Sequence, residues 1–105
     1  MSTQLTKMYI LIPDDIPLGH AINSAAHASL ACYLQFKDDG DMKWWLDESY
    51  KKVTVKVTRE QFEAAKTCPD HVVMTESALS GLETAIAFKP RPVWPENFKF
   101  YPLYR

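Results

Sequence analysis

Residues 8–12 form an unbroken apolar run that ends at Pro13. Such a run is typical of a strand buried on both faces, as in a sheet covered by helices. Residues 20–36 are rich in alanine, contain no proline or glycine, and carry large side chains at steps of three and four. This spacing predicts a helix that follows the buried strand. The expected apolar stripe of the helix consists of Ile22, Ala26, Leu30, Tyr33 and Phe36.

Further along the chain, two patterns predict a second strand and another helix. Polar and β-branched residues alternate over residues 52–57, which indicates a half-buried strand with its valines inward. Thr58 and Gln61 then form a capping box for a helix that runs to about Thr67. Before this strand, Asp41 is the expected N-cap of a short helix. That helix carries Trp44, Trp45 and Leu46.

Two more strands complete the expected sheet, at residues 72–75 and 83–88. The order β-α-(α)-β-α-β-β indicates an α/β fold, a small three-layer sandwich with a mixed four-stranded sheet. We expect one domain over residues 1–105. Its last segment, residues 89–105, is rich in proline and aromatic residues. This segment predicts an extended tail with a short turn that begins at Pro95.

Composition narrows the classes of protein to which the chain can belong. The 105 residues are 47% hydrophobic with a formal net charge of −1, which excludes a disordered chain. No apolar run approaches the roughly 18 residues of a membrane span, and we expect no signal peptide, hence a cytoplasmic protein. Three glycines are too few for a glycine-rich phosphate cradle. Cys32 and Cys68 are predicted to be free thiols, and no metal or cofactor is expected.

Candidate chemistry lies in two loops, because ligands of open α/β sheets bind beyond the carboxyl ends of the strands. The first loop contains Asp15 and leads to His20, and the second follows Glu76. On the helix, His20, Ser24 and His27 are four and three residues apart and share one face. An imidazole at the start of a helix, facing a carboxylate from another strand, is suited to acid/base catalysis.

Each of these residues also has a plain structural explanation. A lone histidine on a helix such as His27 is more often a hydrogen-bonded packing residue than a catalyst. Asp14 and Asp15 can stabilise the turn and the positive end of the helix dipole, and Glu76 can be a solvated carboxylate. Helix geometry argues against a metal shared by His20 and His27, because seven residues of helix separate their backbones by about 10 Å, too far for two short ligands on one ion.

The chain has no overall excess of positive charge, but some of its lysines and arginines are grouped. Lys51, Lys52 and Lys56 cluster on the second strand, and four cations lie in the tail. Proteins that bind RNA through its phosphates normally carry a clear basic excess. These lysines are therefore either solvated side chains or, together with the tail cations, one small basic surface beside the site.

Taken in order, these segments resemble the class II peptidyl-tRNA hydrolases. That family carries Asp-Leu-Lys-Met-Gly-Lys after a buried strand, then a helix close to Ala-Ala-Gln-Cys-Ala-His-Ala-Ala. Here residues 15–20 read Asp-Ile-Pro-Leu-Gly-His, and residues 23–30 read Asn-Ser-Ala-Ala-His-Ala-Ser-Leu. The family's Lys-Val-Val-Val-Lys strand corresponds to residues 52–57, and its Thr-x-Leu-x-Ile-Gly-Pro segment to residues 84–90. The resemblance covers nearly the whole chain.

Several family residues are replaced in this chain. The family's lysine after the glycine is His20, and its glutamine three residues before the helix histidine is Ser24. The aspartate of its Asp-Ala-Gly-Arg-Thr motif is Glu76, and the Gly-Arg-Thr that follows is absent. A lysine is charged at neutral pH, whereas an unperturbed imidazole is mostly neutral. The resemblance therefore implies the family fold more directly than the family's esterase activity.

Two functions remain open. In the first, the chain is a hydrolase that cleaves the ester between a peptidyl or similar acyl group and tRNA. His20 is then the general base or orients the water, and Glu76 fixes the histidine tautomer or holds the water. Thr84 and Ser24 supply hydrogen bonds near the developing oxyanion. In the second, the chain keeps the fold without its chemistry and acts as a binding or regulatory protein.

The resemblance also implies partners and contact residues. The partner is tRNA, and a homodimer is expected because members of the family often pair. The expected substrate-binding residues are Asp15, Ser24, His27, Lys52 and Lys56.

Overall fold

The computed structural model describes residues 6–105, so residues 1–5 of the expected domain lie outside the described part. The first half of the chain contains β1 (Lys7–Pro13), α1 (Leu18–Phe36), α2 (Gly40–Trp44) and a π-helical turn (Trp45–Ser49). The second half contains β2 (Lys51–Val57), α3 (Arg59–Ala65), β3 (His71–Glu76) and β4 (Leu82–Phe88). Short 3₁₀ turns lie at Ser77–Leu79 and Glu96–Phe100. The predicted order of elements is confirmed.

The four strands form one mixed sheet in the order β2-β1-β4-β3. β1 pairs in parallel with β2 and antiparallel with β4, and β4 pairs antiparallel with β3. β1, β2 and β3 therefore run in one direction, and their last residues meet at one end of the sheet, the carboxyl edge. β1 is central and its residues 8–13 are buried, as its apolar run predicts.

Helices and tail residues cover the two faces of the sheet and give the predicted three layers. On the first face, called the α1 face, α1 packs against Met8, Ile10, Ala85 and Ala87. On the second, called the aromatic face, α3 and the tail bury large rings. The largest of these belong to Tyr9, Phe62, Phe88, Trp94 and Phe98. The expected α/β sandwich is confirmed.

The predicted apolar stripe of α1 is correct at Tyr33 and Phe36, which pack against the core, and wrong at its other three positions. Ile22 and Leu30 are 61% and 60% exposed, and Ala26 is exposed as well. The residues that α1 buries are instead Ala21, Ser24, Ala28 and Cys32. Because β4 presents Ala85 and Ala87 to the helix, small side chains on both elements let their backbones approach closely. Large side chains would not fit in this space.

The predicted N-cap is correct for α3 and wrong for α2. The capping box is confirmed, since Thr58 Oγ1 accepts from the Gln61 N–H at 3.0 Å and Gln61 Oε1 accepts from the Thr58 N–H at 2.9 Å. For α2, Asp39 rather than Asp41 is the N-cap, and its carboxylate accepts from the Asp41 N–H at 2.9 Å. Lys89 Nζ lies 3.0 Å from the other oxygen of this carboxylate, so the side chain of Asp39 has a second partner in the cap position.

The tail is extended with one short turn, as predicted. Phe98 donates its N–H to Pro95 O at 3.0 Å within the 3₁₀ turn. Further on, the Lys56 N–H donates to Pro102 O at 2.9 Å, and the Tyr104 N–H donates to Thr54 O at 3.0 Å. The end of the tail therefore lies along the outer side of β2, where it satisfies backbone groups of an edge strand.

Both cysteines are free, as predicted. Burial raises the pKa of the Cys32 thiol to about 12, so this group stays protonated at neutral pH. Across residues 6–105, no helix has the length and apolar character needed to cross a membrane. The same residues contain no group of three or more His, Cys, Asp and Glu side chains that could hold a metal ion.

Candidate active site

The structure brings His20 and Glu76 together at the carboxyl edge. Glu76 is the last residue of β3, and His20 lies in the first turn of α1. The distance from His20 Nδ1 to Glu76 Oε1 is 3.8 Å, and the two side chains are 33% and 25% exposed. This separation is longer than a direct hydrogen bond, and both groups remain open to solvent. The imidazole and the carboxylate can therefore act on one bound molecule.

The orientation of the Glu76 carboxylate is fixed by the chain that follows it. Its Oε2 accepts a hydrogen bond from the Ala78 N–H at 3.0 Å, within the 3₁₀ turn Ser77–Leu79. The other oxygen, Oε1, is the one nearest His20 Nδ1. A carboxylate oriented in this way can accept from the Nδ1–H of the imidazole once the two groups approach to hydrogen-bond distance, which leaves Nε2 as the basic atom.

Ser24 and Thr84 form a buried polar pair beneath this site. The Ser24 hydroxyl donates to Thr84 Oγ1 at 2.7 Å, and the two residues are 3% and 0% exposed. The bond joins α1 to β4 and satisfies both hydroxyl groups, which would otherwise be costly to bury. The pair therefore fixes the height of α1 above the sheet one turn after His20. In this structure the two hydroxyls contact each other and lie below the surface.

Asp15 lies at the same edge, but its carboxylate is occupied by Arg59. Arg59 Nε donates to Asp15 Oδ2 at 3.0 Å, and Nη2 donates to Oδ1 at 2.7 Å. Arg59 Nη1 also donates to the backbone oxygen of Glu83 at 2.8 Å. The hydrogen bond from Arg59 holds the pKa of Asp15 below its usual value, so the carboxylate is ionised at neutral pH. Asp14 is exposed and donates its backbone N–H to Val57 O at 2.8 Å.

Sequence reasoning missed Arg59, although the chain carried a signal for it. β1 and β2 are parallel neighbours that end at the same edge, so the residues just after each strand must lie close together. Asp15 is the second residue after β1, and Arg59 is the second residue after β2. Opposite charges at these matching positions predict an ion pair across the two loops.

The remaining predicted site residues lie apart from His20 and Glu76. His27 is exposed on α1, and among residues 6–105 no hydrogen bond or ion pair involves it, so the packing alternative does not hold. Lys52 and Lys56 are on β2, at the opposite side of the sheet from β3. Three strand spacings of about 4.8 Å place β2 roughly 14 Å from the strand of Glu76.

Both lysines of β2 contact aromatic rings instead. Lys52 Nζ lies 4.3 Å from the centre of the Tyr50 ring and 5.5 Å from that of Trp45. Lys56 Nζ lies 4.6 Å from the centre of the Tyr104 ring and donates to the backbone oxygen of Arg105 at 2.7 Å. These cation–π contacts hold the lysines on the α1 side of β2 and leave them at the surface.

Comparison with known proteins identifies the family of this fold and site. The sequence model of the peptidyl-tRNA hydrolase PTH2 family matches residues 6–94 of the 105-residue chain. The match includes all four strands, all three helices, His20 and Glu76, and it ends within the tail. The chain therefore belongs to the peptidyl-tRNA hydrolase PTH2 family, and the resemblance seen in its sequence is confirmed. A search of curated proteins gives no match.

Proposed function

We propose that this chain hydrolyses the ester that joins a peptidyl or other acyl group to tRNA, with His20 and Glu76 as its catalytic pair. Membership of the PTH2 family supports the reaction class. The observation that carries the assignment is the 3.8 Å approach of His20 Nδ1 to Glu76 Oε1 at the carboxyl edge. Catalytic contacts are often long without substrate and shorten when it binds, so this distance suits a resting acid/base pair.

The proposed reaction begins with a water molecule beside His20. The neutral imidazole accepts a proton from the water through Nε2, while Glu76 holds the Nδ1–H and stabilises the imidazolium that forms. The resulting hydroxide attacks the ester carbonyl and gives a tetrahedral intermediate. The carbon–oxygen bond to the ribose then breaks, and the imidazolium returns its proton to the ribose oxygen. The products are the free acid and tRNA with its terminal hydroxyl restored.

The neutral hydroxyl groups of Thr84 and Ser24 belong to the same proposal. Their mutual hydrogen bond seats α1 on β4, so that His20 stays in place beside the end of β3. They contribute to the site through this positioning of α1, since both hydroxyls are buried and bonded to each other in the free protein.

We place the tRNA contacts on exposed groups of α1 and β2. His27 on α1 and Lys52 and Lys56 on β2 are surface side chains, and the lysines add positive charge. Each phosphate that these groups neutralise releases counterions, so affinity falls as salt rises. The same proposal places the protein in the cytoplasm, where its substrate occurs.

A homodimer through α1 completes the proposal. The helix exposes large aliphatic side chains on the surface that the sheet does not cover, namely Leu18, Ile22, Leu30 and Leu34. Several exposed large apolar side chains along one helix are typical of a protein interface, and a second copy of the chain would cover them symmetrically. Light scattering then gives twice the 12.1 kDa mass of the chain, and Ile22→Glu reduces it to one mass.

A second function is supported by a different observation. The chain has His20 in place of the family lysine and lacks the Gly-Arg-Thr that follows the family aspartate. Both changes remove positive charge from the site. A family member that has lost the charge used for catalysis can keep the fold and bind a ligand or partner without turnover.

Peptide release from peptidyl-tRNA separates the two functions. For the hydrolase, the wild-type protein turns over, and His20→Ala and Glu76→Gln each lose about a hundredfold or more, the contribution of an acid/base group. His71→Gln is the matched control, because it removes an imidazole at the other end of β3 that is bonded to Cys68 O at 2.8 Å. This control retains activity.

If the wild-type protein does not hydrolyse peptidyl-tRNA, the variant His20→Lys distinguishes two explanations. An inert wild-type protein with an active His20→Lys variant identifies a hydrolase scaffold that has lost its chemistry. Inactivity of both identifies the binding protein. Full activity in both His20→Ala and Glu76→Gln contradicts the assigned residues while leaving the reaction class in place.

A further inference from the structure

Arg59 joins three separate elements at the carboxyl edge. It is the first residue of α3, and its guanidinium binds both carboxylate oxygens of Asp15, at 3.0 and 2.7 Å. It also donates to the backbone oxygen of Glu83 on β4, at 2.8 Å. Two parallel bonds to a carboxylate fix both the distance and the plane of a guanidinium. Arg59 therefore fixes the distance and orientation between the loop after β1 and the start of β4.

The contact to Glu83 lies where the ladder between β1 and β4 stops. The two strands are paired at Ile10 with Ala87 and at Leu11 with Ile86. β1 ends two residues later at Pro13, which has no backbone N–H to donate. The Arg59 side chain takes over as donor to β4 beyond this point. Without it, the two elements have fewer connections at the edge where the site lies.

Both members of the proposed catalytic pair are tied to this clamp. Asp15 belongs to the short loop that leads into α1 and so to His20. Glu83 is opposite Thr75 in the register of β3 and β4, one position before the pairing of Glu76 with Leu82. A shift of Asp15 relative to Glu83 therefore moves the imidazole relative to the Glu76 carboxylate.

We propose that Arg59 is a positioning residue, which sets the His20–Glu76 geometry by clamping Asp15 to the Glu83 backbone. The inference rests on the proposed hydrolase function and deepens it. It gives Asp15 a role through Arg59 rather than through direct contact with substrate. Arg59 also brings a positive charge to the site from α3. This helix lies outside the two loops that carry the family motifs.

Steady-state hydrolysis of peptidyl-tRNA by Arg59→Gln and Arg59→Lys tests the proposal. Misplacing a catalytic group by about 1 Å costs up to a hundredfold, so kcat falls about 10- to 100-fold in Arg59→Gln while KM changes less than about twofold. Arg59→Lys keeps the charge but lacks the two-pronged geometry, so it restores only part of the rate.

Arg91→Gln is the matched control. Arg91 also donates to a backbone oxygen, that of Pro69 at 2.8 Å, and its guanidinium lies 4.9 Å from the centre of the Trp94 ring, but it is remote from the carboxyl edge. Its kcat stays at the wild-type value. A rise in KM with unchanged kcat in Arg59→Gln shows that Arg59 contacts substrate and overturns the proposal. Unchanged kcat and KM overturn it as well.

Amide hydrogen exchange tests whether Arg59 clamps these elements, and it does not require the protein to be an active enzyme. The reporters are the Asp14 N–H, bonded to Val57 O at 2.8 Å, and the Ala21 N–H, bonded to Pro17 O at 3.0 Å. In Arg59→Gln these two amides exchange about tenfold faster, while amides of central β1 do not change. Unchanged exchange at both overturns the clamp. If the wild-type protein fails to hydrolyse peptidyl-tRNA, the proposed function falls, and this measurement still decides the role of Arg59.

Discussion

The contact between α1 and β4 on one face of the sheet uses much smaller side chains than the packing on the aromatic face. On the α1 face, the contact between helix and strand is made by Ala21, Ala28, Ala85 and Ala87. On the aromatic face, the Phe98 ring packs against those of Tyr9, Phe88, Trp94 and Tyr101, with centroid distances of 5.1 to 5.4 Å. One face permits close approach of backbones, and the other buries large apolar area.

This difference assigns separate tasks to the two faces. Burial of large rings contributes most of the stabilisation that a small domain can obtain. Small residues contribute less area, but they bring α1 close enough for Ser24 to bond Thr84 and for His20 to approach Glu76. We therefore expect stability to depend mainly on the aromatic face, and the proposed activity to depend on the spacing of the α1 face.

The largest effect is expected on the aromatic face. Phe98 is 2% exposed, and its truncation in Phe98→Ala lowers the free energy of unfolding by about 3–5 kcal/mol, as for other buried phenylalanines. Urea denaturation measures this change. Phe100→Ala is the control, because this ring is 77% exposed in the same 3₁₀ turn and its loss leaves stability nearly unchanged. Equal losses in both variants would refute a tightly packed tail.

A smaller loss of stability with a larger loss of activity is expected on the α1 face. Ala28 is fully buried between α1 and the sheet, so Ala28→Leu overpacks the contact and costs about 1–3 kcal/mol. The displaced helix separates His20 from Glu76, and kcat per folded molecule falls. Ala64→Leu makes the same change at an exposed position of α3 and affects neither quantity. Unchanged kcat in Ala28→Leu would show that spacing on this face is irrelevant to activity.

The smallest effect is expected from the ion pair at the carboxyl edge. Arg59 lowers the pKa of Asp15 in the folded protein, so the pair stabilises fully above the unfolded pKa of about 3.9. The contribution is lost as pH falls through the lower folded value. The difference in urea stability between wild type and Asp15→Asn therefore shrinks below about pH 4. A difference that stays constant from pH 7 to pH 3 would exclude an ionised pair. Because Asp15 is exposed to solvent, the effect is modest.

Local patterns predicted the strands and helices, because each depends on a few neighbouring residues. The apolar run of β1, the alternation in β2 and the capping box at Thr58 all correspond to observed elements. The buried face of α1 could not be found in this way. A count of large apolar residues selects Ile22 and Leu30, whereas the alanines of β4 select small side chains. The packing partner, not the helix, decides which side is buried.

The candidate site was predictable only where topology alone determines neighbours. The rule that loops at the carboxyl ends of strands meet predicts from the sequence that His20 and Glu76 lie together. The clamp by Arg59 required the pairing of β1 with β2, and the position of Lys56 required the strand order. Burial of Thr84 depends on how closely α1 lies to β4, which composition does not reveal.

A double-mutant cycle on the proposed catalytic pair, His20 and Glu76, tests the central claim most directly. It compares kcat/KM for peptidyl-tRNA in wild type, His20→Gln, Glu76→Gln and the double variant. If the two groups act as one acid/base unit, the double variant is about as slow as the slower single variant, because the second change removes nothing further. A double variant whose loss equals the product of the two single losses would contradict a joint role for His20 and Glu76.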